Sequence, residues 1–262
     1  GVSMNQCIAL ALAAVALSAA APLATMMDAT QPASLRNQAC LELRGASSPE
    51  AIAAFRSGLD DAAVRTCAAT NLAKAGAVSA LTEALESEQP PVRAAAAREL
   101  GALARPDLLP ILAKAARDPD LLAATNALEG LKNYPAGVAD ATLAALARSG
   151  GMIGTLALDR LVDLASPAAA PVARQLLAAG ELSDQLAGVK ALGELGDSTD
   201  IERLKPIAEK DRETVSGGAR GFGLMPAFSM ARAARTAIAR IEQRQPPSLH
   251  RLQPLHAGRN QE

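Results

Sequence analysis

The chain has 262 residues and a formal net charge of −1, which excludes the clearly basic balance of a typical nucleic-acid binder. Half of it is hydrophobic but only 2% is aromatic, with no Trp, one Tyr and three Phe, a supply that excludes a strand-built core. From Lys205 onward ten Lys/Arg stand against five Asp/Glu, so that stretch carries +5 and the rest −6, an asymmetry that reads as a solvated last helix.

The N-terminus comes first. Ile8 to Ala21 reads IALALAAVALSAAA, a short apolar run followed by small residues, with Ser18-Ala19-Ala20 placed as the cleavage region of a secretory signal. No Lys or Arg precedes the run, and a buried first helix is the competing reading. A membrane span requires about 20 apolar residues, more than this run supplies. Cys7 lies before the run, unlike a lipoprotein cysteine. Residues 1–24 are expected to be a signal-peptide-like leader and residues 25–33 a linker, giving a periplasmic or secreted protein with no stable membrane span after leader removal. In an oxidising compartment Cys40 and Cys67 are then a disulfide candidate pair in neighbouring units. The alternative is two small buried hydrophobes.

From Ser34 on, the chain repeats. An Ala followed four residues later by Leu or Ile recurs at Ala39/Leu43, Ala68/Leu72, Ala96/Leu100, Ala127/Leu131, Ala157/Leu161, Ala191/Leu195 and Ala237/Ile241, spaced by 29, 28, 31, 30, 34 and 46 residues. Positions i and i+4 share one helix face, so Ala admits a neighbouring helix closely while Leu fills the space beyond it. Between these stretches run second apolar stripes, such as Val78, Leu81 and Leu85 or Val172, Leu176 and Leu177. Turn signals separate the helices: Ser47-Ser48-Pro49-Glu50, Asp60-Asp61, Asp118-Pro119-Asp120, Gly150-Gly151, Ser183-Asp184 and Gly196-Asp197-Ser198. Gln89 to Pro135 is the best-formed copy: two short helices and a Pro/Asp turn that cannot bury their apolar face alone.

Val64-Arg65 and Val92-Arg93 open helices after Asp60-Asp61 and Gln89-Pro90-Pro91, in units of about 30 residues. This resembles the HEAT repeat, above all its short bacterial form, also seen in phycobilin lyases. The resemblance covers Ser34 to about Arg244, and the units after the third rest on periodicity alone. It implies an all-α fold, a right-handed α-solenoid (an alpha-alpha superhelix) over residues 34–244, with about six hairpins and a final helix. In such a family the recurring Arg65 and Arg93 support the turn between repeats. The tetratricopeptide and ankyrin signatures are absent.

The spacing breaks at residues 214–228, TVSGGARGFGLMPAF, a Gly/Phe-rich insertion. It has no strand-Gly-Lys-Ser/Thr pattern for phosphate. It either packs on the last repeat or docks a partner through Arg220, Phe222, Met225 and Phe228. After Arg244, Gln245-Pro246-Pro247 breaks the helix, and the polar tail 245–262 is expected to be disordered.

Catalytic chemistry has little to build on. The two histidines, His250 and His256, both fall in the tail, and neither His-Glu-x-x-His nor Cys-x-x-Cys occurs. No metal site, no cofactor and no enzyme activity is expected, and the His-Glu pairs that the di-iron hydroxylases built from HEAT-like repeats need are missing. Asp60, Asp61, Asp118 and Asp120 sit at helix starts, where capping explains them. Exposed polar side chains on the second helices are expected at Arg56, Glu83, Lys114, Arg117, Arg148, Arg174, Gln175 and Lys205. Of these, Arg117, Arg148 and Arg174 join the insertion as the candidate partner-binding set. The expected function is an exported, non-catalytic scaffold that binds a protein partner on its curved helical surface. The alternatives are a lyase-like or accessory protein holding a small molecule such as a tetrapyrrole, and a structural subunit of an envelope assembly. The oligomeric state stays open.

Overall fold

Ala-rich stretches interrupted by Pro, Asp and Gly form short helices, and these helices pair into hairpins. The computed structural model describes residues 21–210, 214–215 and 228–244, which fall into two compact units divided between Leu146 and Ala147. The fold is all-α, built of stacked helical hairpins in the manner of an α-solenoid, with one two-residue antiparallel bridge among the described residues.

The first unit contains four hairpins: α1 Ala33–Glu42 with α2 Pro49–Gly58, α3 Arg65–Lys74 with α4 Val78–Ala84, α5 Pro90–Ala102 with α6 Leu109–Ala115, and α7 Leu121–Leu131 with α8 Asp140–Ala147. A 3-10 turn at Pro106–Leu108 leads into α6. Helix starts follow the turn residues. Ser48 accepts a hydrogen bond from the Ala51 N–H with Pro49 in the first turn, and Asp120 accepts from the Ala123 N–H. Each such cap contributes about 1 kcal/mol.

The Ala/Leu register forms the core. Ala39, Leu43, Ala68, Leu72, Ala96, Leu100, Ala127 and Leu131 are all buried, with Phe55 filling the space behind the first hairpins. Alanine at the contact positions lets first helices approach until their backbones meet. At Gly130 of α7 an added Cβ would lie 2.6 Å from the Gly101 Cα of α5, so both positions require glycine. Asparagines bridge the same helices across one repeat. Asn71 Nδ2 donates to the Cys40 carbonyl at 2.9 Å, Asn126 Nδ2 to the Ala94 carbonyl at 3.0 Å, and Asn133 Nδ2 to the Gly101 carbonyl at 3.1 Å.

One expectation is corrected at the N-terminal edge. Residues 25–33 are not a plain linker: residues 21–27 are helical, Met26 is fully buried, and Arg36 Nε donates to the Met26 carbonyl at 3.0 Å. The buried thioether fills space beside Gly58 and draws this stretch onto the first hairpin.

The second unit contains α9 Gly151–Asp163 with α10 Ala169–Ala179, α11 Leu182–Leu195 with α12 Ser198–Ala208, and the closing helix α13 Met230–Arg244, packed on α11 and α12. Asp197 and Asp200 form a capping box at the start of α12. Ala157, Leu161, Ala191, Ala237 and Ile241 are buried, but Leu195 is only half-buried. Leu192, one turn earlier, fills the core position in its place.

The basic balance after Lys205 has a structural use. On α13, Arg235 donates to the Ala208 carbonyl at 2.7 Å, Arg244 Nη2 donates to the Gly196 carbonyl at 3.0 Å, and Arg240 pairs with Glu194. These cations meet the carbonyl ends of α12 and α11, where the helix dipole favours positive charge. The ends of the insertion are held together as β1 Thr214–Val215 and β2 Phe228–Ser229, with Thr214 opposite Ser229 and Val215 opposite Phe228. Residues 1–20, the insertion candidates Arg220, Phe222 and Met225, and the tail 245–262 with both histidines lie outside the described residues. Among the described residues no helix is long and apolar enough to cross a membrane.

Candidate partner-binding surfaces

The repeat arginines serve the turns. Arg65 Nε donates to the Leu59 carbonyl at 2.7 Å and Nη2 to the Asp60 carbonyl at 3.1 Å. Arg93 repeats that register with the Ser87 carbonyl at 2.8 Å and the Glu88 carbonyl at 3.3 Å. It also grips the next turn, with Nε on Asp118 Oδ2 at 2.7 Å and Nη2 on Oδ1 at 2.8 Å. The guanidinium of Arg93 is the main reason the Asp118 carboxyl is held below its usual pKa, against the opposing effect of burial. Asp118 also accepts the Asp120 N–H at 2.8 Å and so shapes the turn before α7. Arg36 and Asp61 repeat the arrangement at the same 25-residue separation, with Asp61 accepting the Ala63 N–H at 2.9 Å.

Arg174 departs from the expectation. It is half-buried and ion-paired, where full exposure was expected. Its Nε lies 2.8 Å from Asp200 Oδ1 and its Nη2 2.9 Å from both Asp200 Oδ2 and Asp197 Oδ2. Asp200 is fully buried, and its hydrogen bonds raise the Arg174 pKa first and most. The sequence placed Arg174 correctly on a second helix, but the burial of Asp200 arises only when the α12 start folds against α10.

Arg117 and Arg148 do face solvent, and the only hydrogen bond of the Arg117 side chain among the described residues goes to the Ala113 carbonyl, at 2.7 Å, within its own helix end. Phe228 takes part in the β bridge through its backbone. Second-helix charges in the first unit pair across repeats: Arg56 with Glu83, and Lys114 Nζ with Glu86 Oε1 at 2.7 Å. Beside the second pair lies a groove of about 690 Å³ between α4 and α6. Half-buried Leu85 and Ile111 and exposed Pro110 give it an apolar floor, and Lys114 and Arg117 stand on its rim.

A second groove, of about 570 Å³, runs over α9, α11 and α13 in the second unit. Its floor is small (Ala191, Gly193, Ala233, Ala237) and its rim carries Asp159, Lys190, Arg232 and the Glu194–Arg240 pair. Asp159 keeps substantial solvent exposure, yet partial desolvation in the groove raises its pKa, Asp163 adds to the rise and Lys190 opposes it. A third groove, of about 530 Å³, lies between α1 and α3. Beneath it Cys40 and Cys67 form a disulfide with Cα atoms 6.2 Å apart, and Asn71 Nδ2 lies 3.6 Å from each sulfur. Among the described residues no cluster of His, Cys, Asp and Glu is placed to hold a metal ion. The grooves themselves left no mark in the sequence, since depth between helices depends on packing distance. The asparagine bridges left a faint one: a polar residue recurring inside otherwise apolar faces.

Residues 78–153 match the family model for HEAT repeats. No curated protein matches the chain at a significant level. Among solved structures, human deoxyhypusine hydroxylase in complex with glycerol is similar at 19% identity, over 89% of this chain and 99% of that one, with a TM-score of 0.40. The complex of CpcE and CpcF of phycocyanin lyase from Nostoc is similar at 20% identity, over 84% and 93%, with a TM-score of 0.39. The match identifies residues 78–153 as HEAT repeats, and the carbonyl contacts of Arg93 within that stretch recur one turn earlier at Arg65.

Proposed function

We propose that this protein is an exported, non-catalytic HEAT-repeat scaffold that docks a protein partner on the second-helix face of its first unit. The observation that carries the reading is the groove between α4 and α6, with Leu85, Pro110 and Ile111 on its floor and Lys114 and Arg117 on its rim. An apolar segment of the partner fits that floor, and the cations set its orientation, since apolar anchors carry affinity while rim charges steer association. Successive second helices supply such a surface without any moving part.

Export is supported by the Cys40–Cys67 disulfide, because such bonds persist in oxidising compartments. The apolar run from Ile8 to Ala21 supports it as well. Expression of the chain with residues 1–24 intact, followed by fractionation, tests this arm: protein found only in the cytoplasm with both thiols alkylatable overturns it.

Ile111→Glu tests the docking arm, because a carboxylate on the groove floor leaves the helix surface intact but opposes an apolar occupant. Cross-linked capture of the partner is expected to fall by about tenfold or more relative to wild type. Capture that survives Ile111→Glu contradicts docking in this groove.

A further inference from the structure

We infer that the groove between α1 and α3 holds an extended acidic segment of a protein partner, on a face separate from the α4–α6 groove and independent of that reading. Its lining includes two cations, Arg44 and Lys74, and no carboxylate. These two residues lie at matching ends of neighbouring first helices, both are exposed, and neither side chain has a hydrogen bond or ion pair among the described residues. Elsewhere in this unit, Arg36, Arg93 and Lys114 are each neutralised by a carboxylate. Arg44 and Lys74 both face one cavity.

The remainder of the lining suits a peptide backbone. Ser34, Asn37 and Thr66 present hydroxyl and amide groups along the groove. Two carboxylates bonded to neighbouring residues, Asp61 and Glu99, are already balanced. Asp61 is held by Arg36. Glu99, which accepts from the Thr70 hydroxyl, is held by Arg98 at 2.8 Å. Glu42 takes a hydrogen bond from Gln38 and stays outside the lining.

Size selects the occupant further. Both helices have ten residues, which gives a groove of about 15 Å at 1.5 Å per residue. That length matches four or five residues of extended chain at roughly 3.3 Å each, where a single inorganic anion reaches only one end. Cys67 lines the groove, and its bond to Cys40 fixes the spacing of the two helices before anything binds. A pre-set width lowers the ordering cost of binding.

The test uses the full chain with fluorescent peptides containing four consecutive glutamates or four glutamines, read by anisotropy at about 0.15 M salt. The glutamate peptide is expected to bind about tenfold tighter or more than the glutamine peptide, and Arg44→Glu/Lys74→Glu to remove that preference. Lys210→Glu, a charge reversal at an exposed position of the second unit, is expected to change affinity by less than about twofold. Thermal melts establish that the double variant is folded, and the milder Arg44→Gln/Lys74→Gln is expected to show an intermediate loss. Equal binding of the two peptides overturns the proposal, as does an unchanged preference in the double variant. Millimolar phosphate that displaces the peptide completely, or phosphatidylglycerol vesicles that bind where the peptide does not, also overturns it. Ile111→Glu should leave glutamate-peptide binding intact, which separates this proposal from the second-helix reading.

Discussion

Gly130 on α7 stands against Gly101 on α5 so closely that a Cβ added to it would lie 2.6 Å from the Gly101 Cα. Alanine is the better helix former by about 1 kcal/mol, so an open site would gain stability from the exchange. Here the obstacle is backbone, which yields only by moving a whole helix. Gly130→Ala is therefore expected to destabilise the first unit by a net of about 1–3 kcal/mol, read as a lower denaturant midpoint. An unchanged or higher midpoint would mean that the two helices do not touch at this point.

Arg93 and Asp118 lock one turn to the next, and both side chains are largely buried. Arg93→Met is expected to cost about 2–4 kcal/mol, because it strands the carboxylate and frees the Ser87 and Glu88 carbonyls. The pH dependence has a definite sign. Asp118 has a folded pKa below its unfolded value, so its contribution is present above the ordinary carboxylate range and fades as pH falls through the lowered folded value. Asp118→Asn is expected to flatten the acid limb of a stability-against-pH curve below about pH 4. An acid limb of unchanged slope would contradict the pairing.

The two classes of arginine are separable by stability alone. Arg174→Met leaves the fully buried Asp200 without its bidentate partner and is expected to cost about 2–4 kcal/mol. Arg117→Met, at an exposed helix end, should stay within about 0.5 kcal/mol of wild type. Differential scanning of both variants checks the contrast, and equal losses would refute it.

The Cys40–Cys67 bond closes a loop with a sequence separation of 27. In the chain-entropy treatment a loop of that length stabilises by about 3–4 kcal/mol. Reduction, or Cys40→Ser/Cys67→Ser, is expected to lower the urea midpoint of the first unit accordingly. A midpoint indifferent to reductant would show that the bond is absent in solution.

Much of the fold was legible because one chemical requirement repeats. Close helix stacking needs Ala at the contact and Leu beyond it, and that pairing recurs from Ala39/Leu43 to Ala237/Ile241. Leu195 broke the pattern, since α11 turns Leu192 inward. The role of Arg65 and Arg93 as turn supports followed from a family resemblance and agrees with their carbonyl contacts. Arg174 was misread because an arginine on a second helix looks the same whether its carboxylate partner is buried or far away. Met26 was read as linker because two adjacent methionines between Thr25 and Asp28 carry no period. The grooves were illegible for a simpler reason: local sequence specifies helix faces but not the distance between them.

The central claim is that the groove between α4 and α6 receives a protein partner, and site-specific photocross-linking tests it most directly. A photoreactive residue is placed at Ile111 on the groove floor and, in a separate protein, at exposed Glu129 on α7. One discrete protein adduct is expected from position 111 and none from position 129; with the photoreactive residue at Ala115, which also lines the groove, the adduct is expected to disappear when Ile111→Glu is introduced. No adduct from position 111, or the same adduct from position 129, would contradict it.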